Sequence, residues 1–149
     1  MDDPDLPGLL VALGVALAAS VPDVRERRIP NALNVVGLIV AAATAVVCDR
    51  WLDAVAGGVL GIGTLALPRL RAQDAVGSGD IKLAGVVGVG VGVSGVVAVL
   101  GVAVAAALVA LGAQAIDRRA AGERQLPFAP YVALGVVGLI AITLAAGVG

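Results

Sequence analysis

The sequence predicts an all-α integral membrane protein, a bundle of about six transmembrane helices with its amino terminus outside. Three observations carry this expectation. The composition is one: 60% of the 149 residues are hydrophobic and only 14% charged, with a mean hydropathy of +1.04. A soluble domain of this length needs more polar surface. Uncharged apolar runs separated by short polar loops are another. The last is that the arginines of those loops fall almost entirely on one side when the loops are numbered alternately. Residues 1–149 read as one membrane-embedded domain.

Met1 to Asp5 is a short acidic tail. Leu6 to Val21 follows as the first span; its acidic amino end argues against a signal peptide, which starts with basic residues. Pro22 to Asn31 is an arginine-rich connection, and Ile29-Pro30 fits a helix start, because proline suits the first turn and disfavours helix before it. Ala32 to Cys48 is the second span, with Asn34 near its start. Asp49-Arg50-Trp51-Leu52-Asp53 reads as a tight polar turn with Trp51 at the interface. Ala54 to Leu67 is the third span, closed by Pro68-Arg69, and Arg69 to Gly79 is the second basic loop. Residues 83–116 carry no charge and as one helix would reach about 51 Å at 1.5 Å per residue. The hydrocarbon core is only about 30 Å thick. Two spans joined by a tight turn within Gly88 to Gly95 are therefore expected. Asp117 to Gln125 is the third basic loop, and Tyr131 to Val148 the last span.

With the amino terminus outside, Arg25, Arg27, Arg28, Arg69, Arg71, Arg118, Arg119 and Arg124 share one side, and Lys82 sits just within it. Arg50 falls on the other side with Asp2, Asp3, Asp5, Asp49 and Asp53. The arginine-rich side is cytoplasmic by the positive-inside rule.

Composition also narrows the chemistry. Net charge is −1, there is no histidine and Cys48 is the single cysteine. Nucleic-acid binding, zinc–histidine sites, histidine-dependent nucleophilic catalysis and an intrachain disulfide are thereby set aside. The 21 glycines suit closely packed helices. Gly57-xxx-Gly61 and Gly88-xxx-Gly92 have the spacing for such contact, although so many glycines produce it by chance.

Two carboxylates stand out because charge beside a bilayer is costly. Asp80 lies in Gly77-Ser78-Gly79-Asp80-Ile81-Lys82-Leu83, where a polar loop meets the long uncharged run. Asp23 lies at the end of the first span. Both fall at the cytoplasmic membrane face. Taken singly, Asp80 reads equally as a helix N-cap after a glycine turn and Asp23 as an interfacial loop charge. Taken together, two carboxylates at a low-dielectric boundary can share one proton. One then acts as general base toward water while the other polarises a peptide carbonyl, without metal or cofactor. Lys82 reads as a snorkelling cation or as a group that orients substrate. Asp74 reads as solvated and Glu26 as a surface ion pair.

The Gly77–Leu83 segment resembles the GxGD-x-K-L signature of the type IV prepilin peptidase family of membrane aspartic proteases. Gly88 and Gly92 fall where that family often has glycine. Asp23 followed by Ile29-Pro30-Asn31 is similar to the family's first-aspartate motif, and Pro127-Phe128-Ala129-Pro130-Tyr131 resembles the segment leading into its last span. These motifs occur in order across residues 23 to 135. The resemblance implies that Asp23 and Asp80 are the catalytic pair and that Gly77 and Gly79 shape the loop presenting Asp80. It further implies that the substrates are prepilin- or pseudopilin-like proteins. Their basic leader is cut on the cytoplasmic side of a prokaryotic plasma membrane, just ahead of an apolar helix.

Larger members carry paired Cys-x-x-Cys motifs and methylate the new amino terminus. This chain has one cysteine and opens on its first span, so it resembles the short, peptidase-only form of tight-adherence (Flp-type) pilus systems. Presenilin-like proteases share the GxGD element, but the Tyr-Asp and Pro-Ala-Leu motifs are missing here. A competing reading from another class is a small non-enzymatic membrane protein, a transport or pilus-assembly subunit whose aspartates gate, bind ions or cap helices.

Overall fold

A computed structural model of the chain describes residues 6–26, 28–71, 77–116 and 128–147. The acidic tail Met1 to Asp5, Arg27, Asp74 and the third basic loop with Arg118, Arg119 and Arg124 lie outside the described residues. Among the described residues five helical elements follow one another: α1 (Leu6–Glu26), α2 (Asn31–Val47), α3 (Trp51–Arg71), α4 (Ser78–Ile116) and α5 (Ala129–Gly147). Segments Leu6–Glu26, Ser78–Ala105 and Ala129–Ala146 are long and apolar enough to cross a membrane, and Asn31–Val47 and Trp51–Leu67 are shorter apolar helices. The chain is an all-α, multi-pass type of membrane protein.

α4 is not one rod. Gly92 has φ 73° and ψ −173°, a conformation that only glycine adopts without strain. The turn expected within residues 88–95 falls at this residue. Close contacts give the direction of each half. Gly61 lies against Ala84 and Gly57 against Gly88, so residues 78–91 run antiparallel to α3. Gly95 lies against Leu139 and Gly135 against Val99, so residues 93–116 run antiparallel to α5. Gly8 of α1 lies against Gly90, while the other end of α1 meets the start of α5 at Ala129. The two halves of α4 therefore point in opposite directions, and Gly92 joins them as a helical hairpin.

Small residues face inward and large ones outward, the reverse of a soluble helix. α2 buries Gly37, Ala41 and Ala45 while Val36, Ile39 and Val47 are exposed. Lipid is as apolar as leucine, so association between helices comes from close packing instead. The largest fully buried side chains are Leu83, Val87, Val96, Val99, Val132 and Val136, all on α4 and α5. The seam between α3 and α4 is closer still. A β-carbon at Gly57 would meet the backbone of Gly88 and Gly92, and one at Gly61 the carbonyl of Ala84. The glycine spacing that chance alone would produce is thus used here, backbone against backbone.

Two expectations need correction. The first helix does not stop at Val21 but continues through Pro22 and Asp23 to Glu26. Its buried face runs Leu9, Ala12, Ala16, Ala19, Asp23, a three–four spacing that keeps Asp23 on the inner stripe. Pro22 sits in the closing turns and forfeits one backbone bond there.

The second correction concerns residues 49–53. Only Cys48 to Arg50 are non-helical, and α3 already starts at Trp51. Arg50 is not a solvated loop charge but 9% exposed. Its guanidinium donates to the carbonyls of Val89 (3.3 Å) and Gly90 and lies 3.5 Å from the Asp53 carboxylate. Asp53 in turn accepts from the backbone N–H of Val93 at 3.0 Å. The helix break frees carbonyls before Gly92 and an N–H after it. Arg50 and Asp53 bind one kind each, Arg50 from within the bundle and Asp53 from its exposed rim.

Candidate active site

The two aspartates lie at the same end of the bundle, opposite Arg50. Asp23, 5% exposed, accepts a hydrogen bond from the backbone N–H of Ala129, Oδ2 at 2.8 Å. Ala129 is the first residue of α5, so this N–H is one of those a helix start leaves without an internal partner. Asp80 stands in the first turn of α4, three residues after Gly77. Its half-buried carboxylate accepts from the backbone N–H of Gly77, and the charge of Asp23 acts on it directly. Each carboxylate is anchored by a backbone N–H at the start of a different helix, and the two lie close enough for their charges to interact. That geometry follows half of a capping box, in which the third helical residue reaches back to the cap. Asp80 is thus not itself the N-cap; Gly77 holds that position.

The flanking residues tie the two helix ends together. A β-carbon at Gly77 would come within 2.9 Å of Asp80 Oδ2, so glycine leaves the carboxylate its place. At Gly79 a β-carbon would come 3.2 Å from Ile29 Cβ, so the loop after α1 lies directly on the turn carrying Asp80. Pro30 stands at the N-cap of α2 with φ −59° and ψ 132°, and its carbonyl accepts from Leu33 and Asn34. Lys82 Nζ donates to Asn31 Oδ1 at 2.7 Å, holding the first turn of α4 against that of α2. Asp23, Ile29, Pro30, Asn31, Gly77, Gly79, Asp80 and Lys82 therefore form one neighbourhood.

Ala129 and Asn34 belong to the same end and were not singled out by sequence reasoning. Asn34 is 4% exposed, and among the described residues neither amide atom has a hydrogen-bond partner. Its sequence signal is the spacing of Asn31 and Asn34, three residues apart on one face of an otherwise apolar helix. Ala129 acts through its backbone, for which no side-chain signal exists. Among the described residues no group of three or more carboxylate, cysteine or histidine side chains has the arrangement to hold a metal ion.

The sequence pattern of the type IV leader peptidase family matches residues 10–113, which include both aspartates. The chain belongs to this family. A protein of Bacillus subtilis (strain 168), named prepilin leader peptidase/N-methyltransferase, is 29% identical over 130 residues. The alignment covers 86% of this chain but 52% of that protein, so the chain spans about half the length of the relative. No solved structure matches the chain. Within the leader peptidase match lie α2, α3 and nearly all of α4, whereas α5, which supplies the N–H to Asp23, follows it.

Proposed function

We propose that the protein is a membrane aspartic endopeptidase that removes the leader of prepilin- or pseudopilin-like substrates. The observation carrying this reading is that Asp23 and Asp80 lie at one end of the bundle within electrostatic reach of each other, each held by a helix-terminal N–H, in a chain of the leader peptidase family. The pair has the parts for peptide hydrolysis by water. One carboxylate takes a proton from the water as it attacks the carbonyl carbon, while the protonated partner donates a hydrogen bond to the carbonyl oxygen. The resulting tetrahedral intermediate collapses as the pair returns a proton to the departing amine nitrogen. No metal or cofactor takes part. Because the two groups titrate as a pair, base and acid are roles of the dyad rather than of either residue.

The reading places the dyad at the cytoplasmic face of a prokaryotic plasma membrane, with six spans and an outside amino terminus in one domain. The reversal at Gly92 supports the span count, and the one-sided arginine pattern of the sequence, with Arg25 and Arg28 close to Asp23 in the chain, supports the orientation. A basic leader followed by an apolar helix would present its scissile bond at this depth. Only hydrolysis is assigned. The single cysteine provides no Cys-x-x-Cys pair, and methyl transfer is not part of the proposal.

The test is cleavage of a prepilin in membranes by wild type, Asp23→Asn and Asp80→Asn at matched levels. Asparagine keeps an acceptor oxygen for the Ala129 or Gly77 N–H, so both variants should insert and fold. Each is expected to lose at least about 10³-fold in rate, in keeping with removal of a member of a catalytic unit. Normal cleavage by either variant would sink the two-aspartate mechanism. Loss of folded protein in place of activity would favour a structural role for the pair.

A further inference from the structure

Two polar layers mark the ends of the bundle. One holds Asp23, Asp80, Asn31 and Lys82, and the other holds Arg50, Asp53 and the backbone opened at Gly92. Three helices measure the distance between them. From Asp80 to Gly92 on α4 is 12 residues, about 18 Å at 1.5 Å per residue. Gly8 of α1 lies against Gly90 and Arg50, and from there to Asp23 is 15 residues, about 22 Å. α2 starts beside Lys82, ends just before Arg50 and has 17 residues, about 25 Å. The hydrocarbon core of a bilayer is about 30 Å thick. α1 is long enough to cross it, and α2 and α3, which run between the same two layers, cross beside it.

The shortfall is one-sided. On the flank made by α2, α3 and the first half of α4, both layers come to the surface. Asn31 and Lys82 are exposed at one edge and Asp53 at the other, with Val36, Ile39, Val55 and Val59 exposed between them. On the opposite flank α5 and residues 93–116 carry no charge and run about 27 and 34 Å. A span that is too short is accommodated by thinning of the bilayer, by snorkelling of its polar ends or by oligomerisation. Snorkelling is closed off here. Lys82 is tied to Asn31, Asp53 to the Val93 N–H, and Arg50 to the carbonyls of Val89 and Gly90. A second copy finds a poor surface on this flank, because the small residues that let membrane helices approach closely already face inward: Gly37, Ala41 and Ala45 of α2, Gly57 and Gly61 of α3.

We propose that the protein thins the bilayer on its α2–α3 flank alone, where it is bordered by phospholipid of shorter hydrocarbon reach than on its α5 flank. The headgroup layer is thereby drawn to the level of Lys82 and Asp80. The dyad end then meets water without either aspartate leaving the N–H that anchors it.

Trp51, the single tryptophan, stands half-exposed at the Arg50 layer of this flank and reports on it in the unmodified chain. The full chain is reconstituted in phosphatidylcholine vesicles whose monounsaturated chains have fourteen, eighteen or twenty-two carbons, and brominated analogues of each compete to quench Trp51. The fourteen-carbon lipid is expected to be favoured over the twenty-two-carbon lipid by about threefold or more, the size of effect that a mismatch of several ångströms produces. The Trp51 emission maximum is expected to stay constant across the three lipids, because the headgroups follow the protein. In a second chain Trp51→Phe is combined with Leu144→Trp, which moves the probe to an exposed position on α5; no preference for fourteen over eighteen carbons is expected there. Ile142→Trp, exposed on the same helix, replaces it should that variant not fold.

Equal quenching of Trp51 by all three lipids, or a blue shift as the chains lengthen, would show a bilayer that keeps its thickness and would overturn the proposal. Absence of quenching by any of them would mean that protein or water covers this flank, with the same consequence. A short-chain preference at both probes would make the thinning uniform and overturn its one-sidedness.

Discussion

Gly77→Ala should slow leader cleavage without loosening the fold. Gly77 is exposed and its φ is not positive, so alanine can adopt the backbone there. The added β-carbon would come 2.9 Å from Asp80 Oδ2, whereas ordinary van der Waals contact begins at 3.4 Å. The carboxylate must therefore retreat by about 0.5 Å, away from the N–H that anchors it. A misplacement of about 1 Å at a reacting group can cost on the order of 10²-fold in rate. Half of that, on a logarithmic scale, is about tenfold in kcat. The assay is single-turnover cleavage of a prepilin in proteoliposomes, with thermal unfolding in detergent measured in parallel. Gly14→Ala serves as control, because a β-carbon there meets nothing within 4 Å. If Gly77→Ala cleaves within about twofold of wild type, the carboxylate is not held at its working position by this glycine, and the argument from close approach is wrong.

Two further outcomes follow from the opposite end and from the seam. Arg50→Met should destabilise the protein by about 3 kcal/mol, since charged hydrogen bonds to Val89 and Gly90 are lost and buried carbonyls are left behind; denaturant titration in mild detergent would show it, and an unchanged midpoint would refute the clamp. Gly61→Val should abolish accumulation of folded protein, because the side chain would enter the backbone of Ala84, while Gly63→Val, with open space around it, should accumulate as wild type does when both are followed by detergent-resistant fluorescence of a fused reporter.

Much of the fold is legible because a bilayer demands uncharged runs of a certain length, and those runs are visible in a string of letters. The turn inside residues 83–116 follows from length alone, and glycine density narrows it to eight positions. Which glycine turns is set by where Arg50 and Asp53 can reach, a three-dimensional matter. For the same reason Arg50 reads as a loop charge: nothing in Asp49-Arg50-Trp51 announces that carbonyls 39 and 40 residues onward will be left open. The end of α1 was misplaced because Pro22 looks like a stop, although the three–four stripe from Leu9 through Ala19 already points at Asp23. At the candidate site, the motif resemblance brings Asp23 and Asp80 to mind as partners, while the charge pattern puts them at one face. The backbone donors that hold them, Ala129 and Gly77, carry no chemical label in the sequence. Asn34 does carry one, an amide one turn after Asn31 in an otherwise apolar helix, but only its burial without a partner among the described residues separates it from an ordinary helix-start asparagine.

The clamp at Gly92 also bears on how the molecule comes to exist. Arg50 and Asp53 emerge during synthesis about forty residues before the backbone groups they bind. Until residues 89–93 arrive, Arg50 just before α3 and Asp53 in its first turn have no carbonyl or N–H of α4 to receive them, and the glycine face of α3 has nothing to lie against. A chain halted after Arg71 lacks all of these partners, and α3 would be left without the helix it packs against most extensively.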